Sequence, residues 1–254
     1  MATIKAVTFD LWDTIIADDS DEAARAKQGL RTKHDQRRHL LYEAINSTES
    51  MEPSVVGLAF DVADAAFNHV WPSQHVTWTV GQRVDVILKG LNRSLPAPVR
   101  ERLISELEVM EVDIPPDLIP GCDHALAELS QQYRLAMVSD AIVTPGRLLR
   151  KLLEKHGVKK YFAGFAFSDE VGYSKPHRAI FESAAEQLGV ALHEIVHVGD
   201  REHNDIQGAH ALGMKAVLFT ETRDADREGS EADAVCESYT QLPGILKDIT
   251  ELLN

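Results

Sequence analysis

The chain has 254 residues, of which 44% are hydrophobic and 26% charged, and its acidic side chains outnumber the basic ones 40 to 26, for a formal net charge of −14. This composition excludes a disordered chain and disfavours nucleic acid and anionic membranes as general partners. A small anionic substrate stays open, because lysine, backbone N–H groups and a metal ion can outweigh the overall field inside one pocket. The length allows a core domain with a smaller inserted domain.

The two cysteines, Cys122 and Cys236, lie far apart and lack metal-ligand spacing, which favours a reducing compartment over a disulfide framework. The first residues run into a predicted strand without a signal segment, and no apolar run approaches the roughly 20 residues of a membrane span. We therefore expect a cytoplasmic protein with no membrane partner. The sequence leaves a monomer and a homodimer equally open.

Residues 3–9 form a short β-rich segment that ends at Asp10. The following hundred residues carry apolar side chains at helical spacing, most clearly over 54–70, 80–92 and 97–110, and contain almost no strand pattern. Prolines at 115, 116 and 120 end this stretch. It is therefore predicted to be a helical insertion.

After Gly121 the predicted elements alternate between helices and strands. They are a helix to about 130, a strand over 134–139, a helix over 145–156, a strand over 162–167, a helix over 177–188, a strand over 194–199, a helix over 204–212 and a strand over 215–219. This alternation, with apolar strands, is typical of a doubly wound parallel sheet covered on both faces. The charged stretch 221–233 is predicted to be a solvated loop.

In open α/β sheets, ligands bind at the carboxyl ends of the strands. Those ends carry Asp10 after the first strand, Ser139 after the second and the pair Gly199–Asp200 after the fourth. Lys175 lies in the loop that follows the third. Carboxylates, a hydroxyl and an ammonium at one edge of a sheet indicate a catalytic site.

The order and type of these residues resemble the haloacid dehalogenase superfamily of phosphatases and related hydrolases. The resemblance lies in four motifs: FDLWDT (9–14), MVSD (137–140), SDEVGYSKP (168–176) and VGDREHND (198–205). It implies a Rossmann-like catalytic core over residues 1–16 and 117–254. Residues 17–116 would be the helical cap of the superfamily's first subclass.

The resemblance also implies Mg²⁺ as cofactor and a small phosphorylated substrate. Asp10 would be the nucleophile that forms an aspartyl-phosphate, since a carboxylate nucleophile divides one difficult displacement into two easier ones. The metal ligands would be Asp10, Asp200 and the backbone carbonyl of Trp12, because Mg²⁺ prefers oxygen ligands. Asp205 would hold a metal-bound water or orient Lys175.

The remaining implied roles concern the phosphoryl group. Ser139 and the backbone N–H groups around Asp140 would donate hydrogen bonds to its oxygens. Lys175 would neutralise the charge that develops during transfer. Thr14 would support Asp10 or a phosphoryl oxygen.

The sequence departs from the family pattern at Trp12, where phosphatases of this family carry a second aspartate. That residue protonates the leaving oxygen and then activates water, which is typically worth about 10²–10⁴ in rate. An indole N–H cannot replace it. Asp13 is one residue too far along, because adjacent side chains at a strand end point apart.

Three interpretations stay open. The first is a phosphatase restricted to good leaving groups, or one that takes its acid from the cap. The second is a 2-haloacid dehalogenase, since these enzymes also carry an aromatic residue at the position of Trp12 and a halide needs no proton. They lack the metal-binding acidic motif, however, whereas this chain keeps both Asp200 and Asp205. The third is a regulatory protein that binds metal and phosphate without catalysis.

Other candidate residues are interpreted as structural. Trp71 and Trp78 flank a helix break at Pro72 and are assigned to packing. The basic residues near the start of the insertion are assigned mainly to a solvated helix face: Arg25, Lys27, Arg31, Lys33, Arg37 and Arg38. The histidines of the carboxyl-terminal half fit no zinc pattern, and the one placed to approach the site is His203, while the others are His193, His197 and His210.

Overall fold

The computed structural model describes residues 3–252, which form two compact units. The sheet unit contains the chain up to Asp18, residues 117–140 and the chain from Leu153 onward. The helical unit contains residues 19–116 and 141–152. The sequence did not indicate that 141–152 pack with the inserted helices. The domain boundaries at 16/17 and 116/117 stay a prediction.

Six parallel strands form the sheet: β1 (Ala6–Phe9), β2 (Arg134–Ser139), β3 (Phe162–Phe167), β4 (Ile195–Gly199), β5 (Lys215–Phe219) and β6 (Ala234–Cys236). Their spatial order is β3-β2-β1-β4-β5-β6. The order reverses between β1 and β4, and a doubly wound sheet binds its ligands at such a reversal. The predicted α/β fold with a doubly wound parallel sheet is confirmed.

The described residues also contain helices before, between and after these strands: α1 (Asp21–Lys27), α2 (Lys33–Asn46), α3 (Pro53–Gln74), α4 (Val80–Gly90), α5 (Ala97–Glu108), α6 (Met110–Asp113), α7 (Cys122–Leu129), α8 (Gly146–Lys155), α9 (Ser168–Val171), α10 (Arg178–Leu188), α11 (Gly208–His210) and α12 (Leu242–Leu252). A π-helix at Glu202–Gln207 precedes α11, where the sequence predicted one continuous helix.

Burial explains why the strands form where they do. All four residues of β1 are buried, and Val7 is in register with Leu135 on one side and Val196 on the other. A strand buried on both faces must carry apolar side chains without interruption, which is the pattern that predicted it. Strand β6 was not predicted, because its three residues at the edge of the sheet are too few to give a pattern.

The helical unit has its own apolar core, to which α2, α3, α4 and α5 contribute. Its most buried members include Leu41, Ile45, Val56, Ile87 and Leu103. The core explains the helical spacing of apolar residues in this part of the sequence. Since side chains three and four positions apart share one helix face, each helix buries a stripe of them.

Trp71 and Trp78 both pack against the buried ring of Phe67, with ring centroids 6.2 and 5.9 Å from it. The predicted helix break at Pro72 is wrong. Helix α3 continues through Pro72 to Gln74 and ends where His75 takes a left-handed conformation, with φ of 53°. The proline lies in the last turn, so the hydrogen bond lost with its missing N–H falls at the end of the helix and not in its middle.

The basic residues at the start of the helical unit are less exposed than expected. Arg25 and Lys33 are both 4% exposed. The ammonium of Lys33 lies 2.8 Å from Asp19 and 2.9 Å from Asp21. These two cations therefore stabilise the helical unit internally and do not belong to a solvated face.

Both cysteines are buried and free. Among residues 3–252, no helix combines the length and the hydropathy that crossing a membrane requires.

Candidate active site

Strand β1 delivers Asp10 to the carboxyl edge of the sheet. The Asp10 N–H donates to the carbonyl of Val198 at 2.9 Å, which extends the pairing with β4 by one residue. The Asp10 side chain is buried. Its position is therefore fixed by both the strand and its neighbour.

The chain then makes a compact turn over residues 11–16. The N–H of Ile16 donates to Leu11 O at 2.9 Å, and the N–H of Asp13 donates to Ile16 O at 2.7 Å. Asp13 takes a left-handed conformation with φ of 53°, which aspartate tolerates better than most residues. The hydroxyl of buried Tyr239 donates to the Thr14 carbonyl at 2.5 Å and anchors the turn to the sheet unit.

Lys175 joins the ends of β1 and β4. Its Nζ lies 2.6 Å from Asp10 Oδ1 and 2.6 Å from Asp205 Oδ1, and the residue is 3% exposed. Its backbone N–H donates to Asp140 Oδ1 at 2.9 Å. One lysine thus contacts carboxylates that follow three of the six strands.

Ser139 and Asp140 lie at the carboxyl end of β2, directly beside β1 in the sheet. Both are buried. The hydroxyl of Ser139 has no hydrogen-bond partner within the described part of the chain, and the same holds for the hydroxyl of Thr14. Buried hydroxyls are normally paired, so these two are available to a ligand.

Gly199 and Asp200 end β4, and the π-helix that follows carries Asp205. A Cβ on Gly199 would lie 2.6 Å from the Cβ of Asp205 and closer still to its carboxylate carbon. The Arg201 N–H donates to Asp205 Oδ2 at 3.0 Å. Glycine at 199 is therefore required so that Asp205 can fold back onto the strand.

Asp10, Asp200 and Asp205 offer carboxylate oxygens that lie within 4.8 Å of one another. Both oxygens of Asp200 are buried and without a hydrogen-bond partner among residues 3–252, the nearest cations being Arg223 at 3.6 Å and Arg201 at 3.7 Å. Buried carboxylates are normally paired or coordinate a metal. The three carboxylates therefore fit a divalent cation such as Mg²⁺, which prefers oxygen ligands.

Burial and mutual repulsion disturb the acidities in this cluster. Burial, with Asp205 and Asp10 nearby, raises the pKa of Asp200 to about 8. Burial also raises the pKa of Asp140 to about 7, although Lys175 opposes the rise. Burial would lower the pKa of Lys175, but Asp10 and the two other carboxylates outweigh it and raise that pKa well above its usual value.

Some of the site residues predicted from the sequence contact one another at this edge of the sheet, and others lie nearby. Direct contacts join Asp10, Lys175, Asp205 and Asp140, and Asp200 lies within the same acidic cluster. Trp12 and Thr14 lie in the turn after Asp10, Trp12 half-buried. Ser139 is next to Asp140. The catalytic and ligand roles assigned to these residues stay predictions.

The histidine assignment needs correction. His203 is exposed, and its Nδ1 lies 3.4 Å from Gln207 Oε1. The histidine that contacts the cluster is His197, whose Nε2 lies 3.1 Å from Asp205 Oδ1. Strand alternation could have identified it, since residues 197 and 199 share one face of β4.

Comparison with known proteins identifies the family. A family model described as haloacid dehalogenase-like hydrolase matches residues 4–213. The chain belongs to the haloacid dehalogenase-like hydrolase family.

Two family members of known structure share the fold over nearly their whole length. A HAD phosphatase from Thermococcus onnurineus is 23% identical with a TM-score of 0.63, covering 96% of this chain and 98% of that one. A 2-haloacid dehalogenase from Pseudomonas syringae is 21% identical with a TM-score of 0.64, and the match covers 97% of this chain and 99% of the dehalogenase. A phosphatase and a dehalogenase resemble the chain equally, so the fold alone does not select the reaction.

A relative in sequence is the glyceraldehyde 3-phosphate phosphatase of Methanopyrus kandleri, which is 32% identical over 139 residues. The match covers 54% of this chain and 57% of the relative. The chain thus spans little more than half the length of this phosphatase.

Replacing Asp200 by asparagine tests the metal site. We expect Mg²⁺ to raise the melting temperature of the natural protein, by about 5–10 °C at a hundredfold excess over its dissociation constant. Asp200→Asn should melt higher than the natural protein in chelator, because the cost of burying this carboxyl group is removed, and should lose most of the Mg²⁺ effect. Differential scanning fluorimetry with and without EDTA measures both.

The control is Asp248→Asn, which removes the same charge at an exposed position on α12. It should change neither the melting temperature in chelator nor the response to Mg²⁺. An unchanged Mg²⁺ response in Asp200→Asn would contradict the metal site.

Gly199→Ala tests the packing of Asp205 on β4. The added methyl group has to displace an anchored carboxylate, so we expect a loss of about 1–3 kcal/mol in unfolding free energy and a weaker Mg²⁺ response. The matched control is Gly244→Ala in α12, where a Cβ meets no atom within 4 Å. That change should gain up to about 1 kcal/mol from helix propensity. Urea titrations measure the unfolding free energies of both variants. Equal values would contradict the assigned role of Gly199.

Proposed function

We propose that the chain is a magnesium-dependent phosphatase that hydrolyses a small phosphorylated metabolite through an aspartyl-phosphate at Asp10. The observation that carries the proposal is the buried arrangement around Lys175, whose ammonium lies 2.6 Å from Asp10, while neither oxygen of the neighbouring Asp200 has a hydrogen-bond partner among residues 3–252. A carboxylate nucleophile, a fixed cation and a free acidic ligand are what phosphoryl transfer to an aspartate requires.

Ser139 and Thr14 support this assignment through their buried hydroxyls, which lack a partner in the described chain. In the proposed complex the hydroxyl of Ser139 and the N–H groups around Asp140 donate to the phosphoryl oxygens. Thr14 supports Asp10 or a phosphoryl oxygen. Lys175 offsets the negative charge that grows on the phosphoryl group and restrains Asp10.

The proposed reaction has two displacements. An oxygen of the Asp10 carboxylate forms a bond to phosphorus, and the bond from phosphorus to the leaving oxygen breaks, with its electron pair leaving on that oxygen. Water then attacks the phosphorus of the aspartyl-phosphate. Phosphate leaves, a proton passes to solvent and the Asp10 carboxylate is regenerated.

Asp10, Asp200 and the backbone carbonyl of Trp12 would hold the Mg²⁺. The bound ion would supply the positive charge that lets a carboxylate approach a phosphate dianion. Asp205 has fewer oxygen lone pairs available to a metal ion than Asp200, since it already accepts hydrogen bonds from Lys175 at 2.6 Å and from the Arg201 N–H at 3.0 Å. Its proposed role is to orient Lys175.

Trp12 restricts the substrates. It leaves Asp10 without the neighbouring carboxyl group that protonates a leaving oxygen, and its indole cannot donate a proton at neutral pH. The leaving groups of acyl phosphates and anhydrides depart without protonation, so these compounds are the proposed preferred substrates. An acid supplied by the helical unit would widen this range.

The names of the relatives support a phosphatase over the two alternatives. The relative from Methanopyrus kandleri is named for a three-carbon phosphate ester, and one from Thermus thermophilus is named phosphoserine phosphatase. The dehalogenase alternative is not favoured, because it leaves the buried carboxylate of Asp200 without a role. A cytoplasmic location and the choice between monomer and homodimer remain predictions.

Phosphate release tests the proposal directly. We expect turnover of acetyl phosphate with Mg²⁺, loss of turnover in EDTA, and a decrease of at least about 10³-fold in Asp10→Asn. The control is Asp13→Asn, which makes the same change in the same turn and keeps a residue that accepts the left-handed conformation. Its rate should stay close to the natural one.

The outcomes separate the three interpretations. Magnesium-dependent release that Asp10→Asn abolishes supports the phosphatase. Halide release from 2-chloropropionate without phosphate release would replace it by the dehalogenase. Mg²⁺ and phosphate binding without either reaction would indicate a regulatory protein.

Trp12→Asp tests the origin of the restriction. The new carboxyl group should protonate poor leaving groups, so hydrolysis of glycerol phosphate should rise by about 10²–10⁴-fold while that of acetyl phosphate barely changes. Trp12→Phe serves as control, since it removes the indole without adding an acid. Equal changes on both substrates would contradict the explanation.

A further inference from the structure

A buried histidine links the acidic cluster to the interior of the sheet. His197 lies in β4 and is 0% exposed. Its Nε2 is 3.1 Å from Asp205 Oδ1, and its Nδ1 is 2.8 Å from the hydroxyl of Thr8, which is equally buried. A polar pair at the centre of a sheet costs stability unless all its groups are paired, and here they are.

The register of the sheet brings Thr8 and His197 together. Thr8 of β1 and His197 of β4 are register partners across the two central strands, so their side chains emerge on the same face. Asp10 and Gly199 lie two residues further along each strand, on that same face. The ring of Phe181 on α10 covers His197 edge-on, with ring centroids 5.2 Å apart.

The contacts determine which ring nitrogen carries the proton. Asp205 also accepts from Lys175 and from the Arg201 N–H, and the pKa of its carboxyl is held below its usual range, because Lys175 and His197 outweigh the effect of burial. It is therefore an acceptor, and Nε2 of His197 must donate. In the neutral imidazole Nδ1 is then the acceptor, and the Thr8 hydroxyl donates to it. Asp205 and Thr8 together favour the Nε2–H tautomer.

Asp205 holds Lys175 in the orientation that reaches Asp10. Its Oδ1 accepts from both Lys175 and His197, and its Oδ2 accepts from Arg201. Without the donor from His197, Oδ1 would keep the contact with Lys175 alone, and the carboxylate would be held by two hydrogen bonds instead of three. The acceptor that positions Lys175 would then be held less firmly.

We propose that Thr8 and His197 form a positioning pair that fixes the orientation of Asp205, and through it the ammonium of Lys175 against Asp10. The proposal rests on the proposed phosphatase function, which it extends from the edge of the sheet to its interior. His197 touches neither substrate nor metal in this scheme. It acts only through Asp205, as residues behind a ligand or catalytic group commonly do.

Two variants of His197 separate its contacts. In His197→Gln, the amide nitrogen can replace Nε2 and keep the donor to Asp205. In His197→Asn, the shorter amide can replace only Nδ1 and keeps the contact with Thr8. A third variant, Thr8→Val, keeps the shape of Thr8 and removes its hydroxyl. Control variants are His210→Gln and His210→Asn, in a His–Asp pair 2.9 Å apart near the surface.

The measurements are kcat and KM for acetyl phosphate, the Mg²⁺-induced shift in melting temperature, and the nitrogen chemical shifts of His197. We expect His197→Asn to lower kcat about 10–100-fold with little change in KM, and His197→Gln to restore most of that loss. The kcat of Thr8→Val should lie between those of the two His197 variants. Both His210 variants should match the natural protein. A purely structural role predicts equal kcat for the two His197 variants once both are folded.

Nitrogen NMR of the natural protein gives a result that needs no variant. Its spectrum should show His197 as the Nε2–H tautomer, and Thr8→Val should weaken that preference. An Nδ1–H tautomer in the natural protein would overturn the proposal, and so would equal kcat in folded His197→Asn and His197→Gln. If the natural protein releases no phosphate, the proposed function fails. The positioning pair is then judged by the tautomer and by whether His197→Asn reduces the Mg²⁺ shift more than His197→Gln does.

Discussion

The shared ammonium of Lys175 is the interaction on which the rest of the site depends. Asp10 and Asp205 are buried, and two buried carboxylates repel each other unless a cation lies between them. Lys175 meets both at 2.6 Å, and its own backbone N–H ties it to Asp140. The ends of β1, β2 and β4 are therefore joined by one residue. Removing its charge would leave two buried carboxylates without the cation that they share, which costs more than the pair contributes when intact.

The two acidic residues after β4 have different tasks, although the sequence presents them as one motif. Asp205 accepts hydrogen bonds from Lys175, His197 and Arg201, while neither buried oxygen of Asp200 has a hydrogen-bond partner among the described residues. A carboxylate with full hydrogen bonding is held rigidly. One without partners is costly until a cation binds it. The same motif thus places a firmly held carboxylate and a carboxylate without hydrogen bonds five residues apart.

Most residues at this edge of the sheet could be predicted from the sequence, because each parallel strand is an apolar run that ends at polar residues. Each strand end marks a position at the same edge, so Asp10, Ser139 and Asp200 could be grouped without coordinates. The inner pair Thr8 and His197 could not, because their meeting depends on the order and register of β1 and β4. These strands are 189 residues apart at the pair and become neighbours only in the fold. Strand β6 and the packing of residues 141–152 with the helices depend likewise on tertiary contacts.

The arrangement around Asp10 also bears on which proton donors the reaction can use. Three carboxylates raise the pKa of Lys175 far above neutrality, so its ammonium stabilises charge and does not release a proton to a leaving group. His197 faces Asp205 and Thr8 and is buried beneath the cluster, with neither ring nitrogen directed to a substrate. Trp12 has no acidic proton at all. Lys175 and His197 are thus engaged with carboxylates, and neither replaces the missing aspartate. The rigid surroundings of Lys175 and the substitution at Trp12 therefore both support the proposed preference for leaving groups that depart as stable anions.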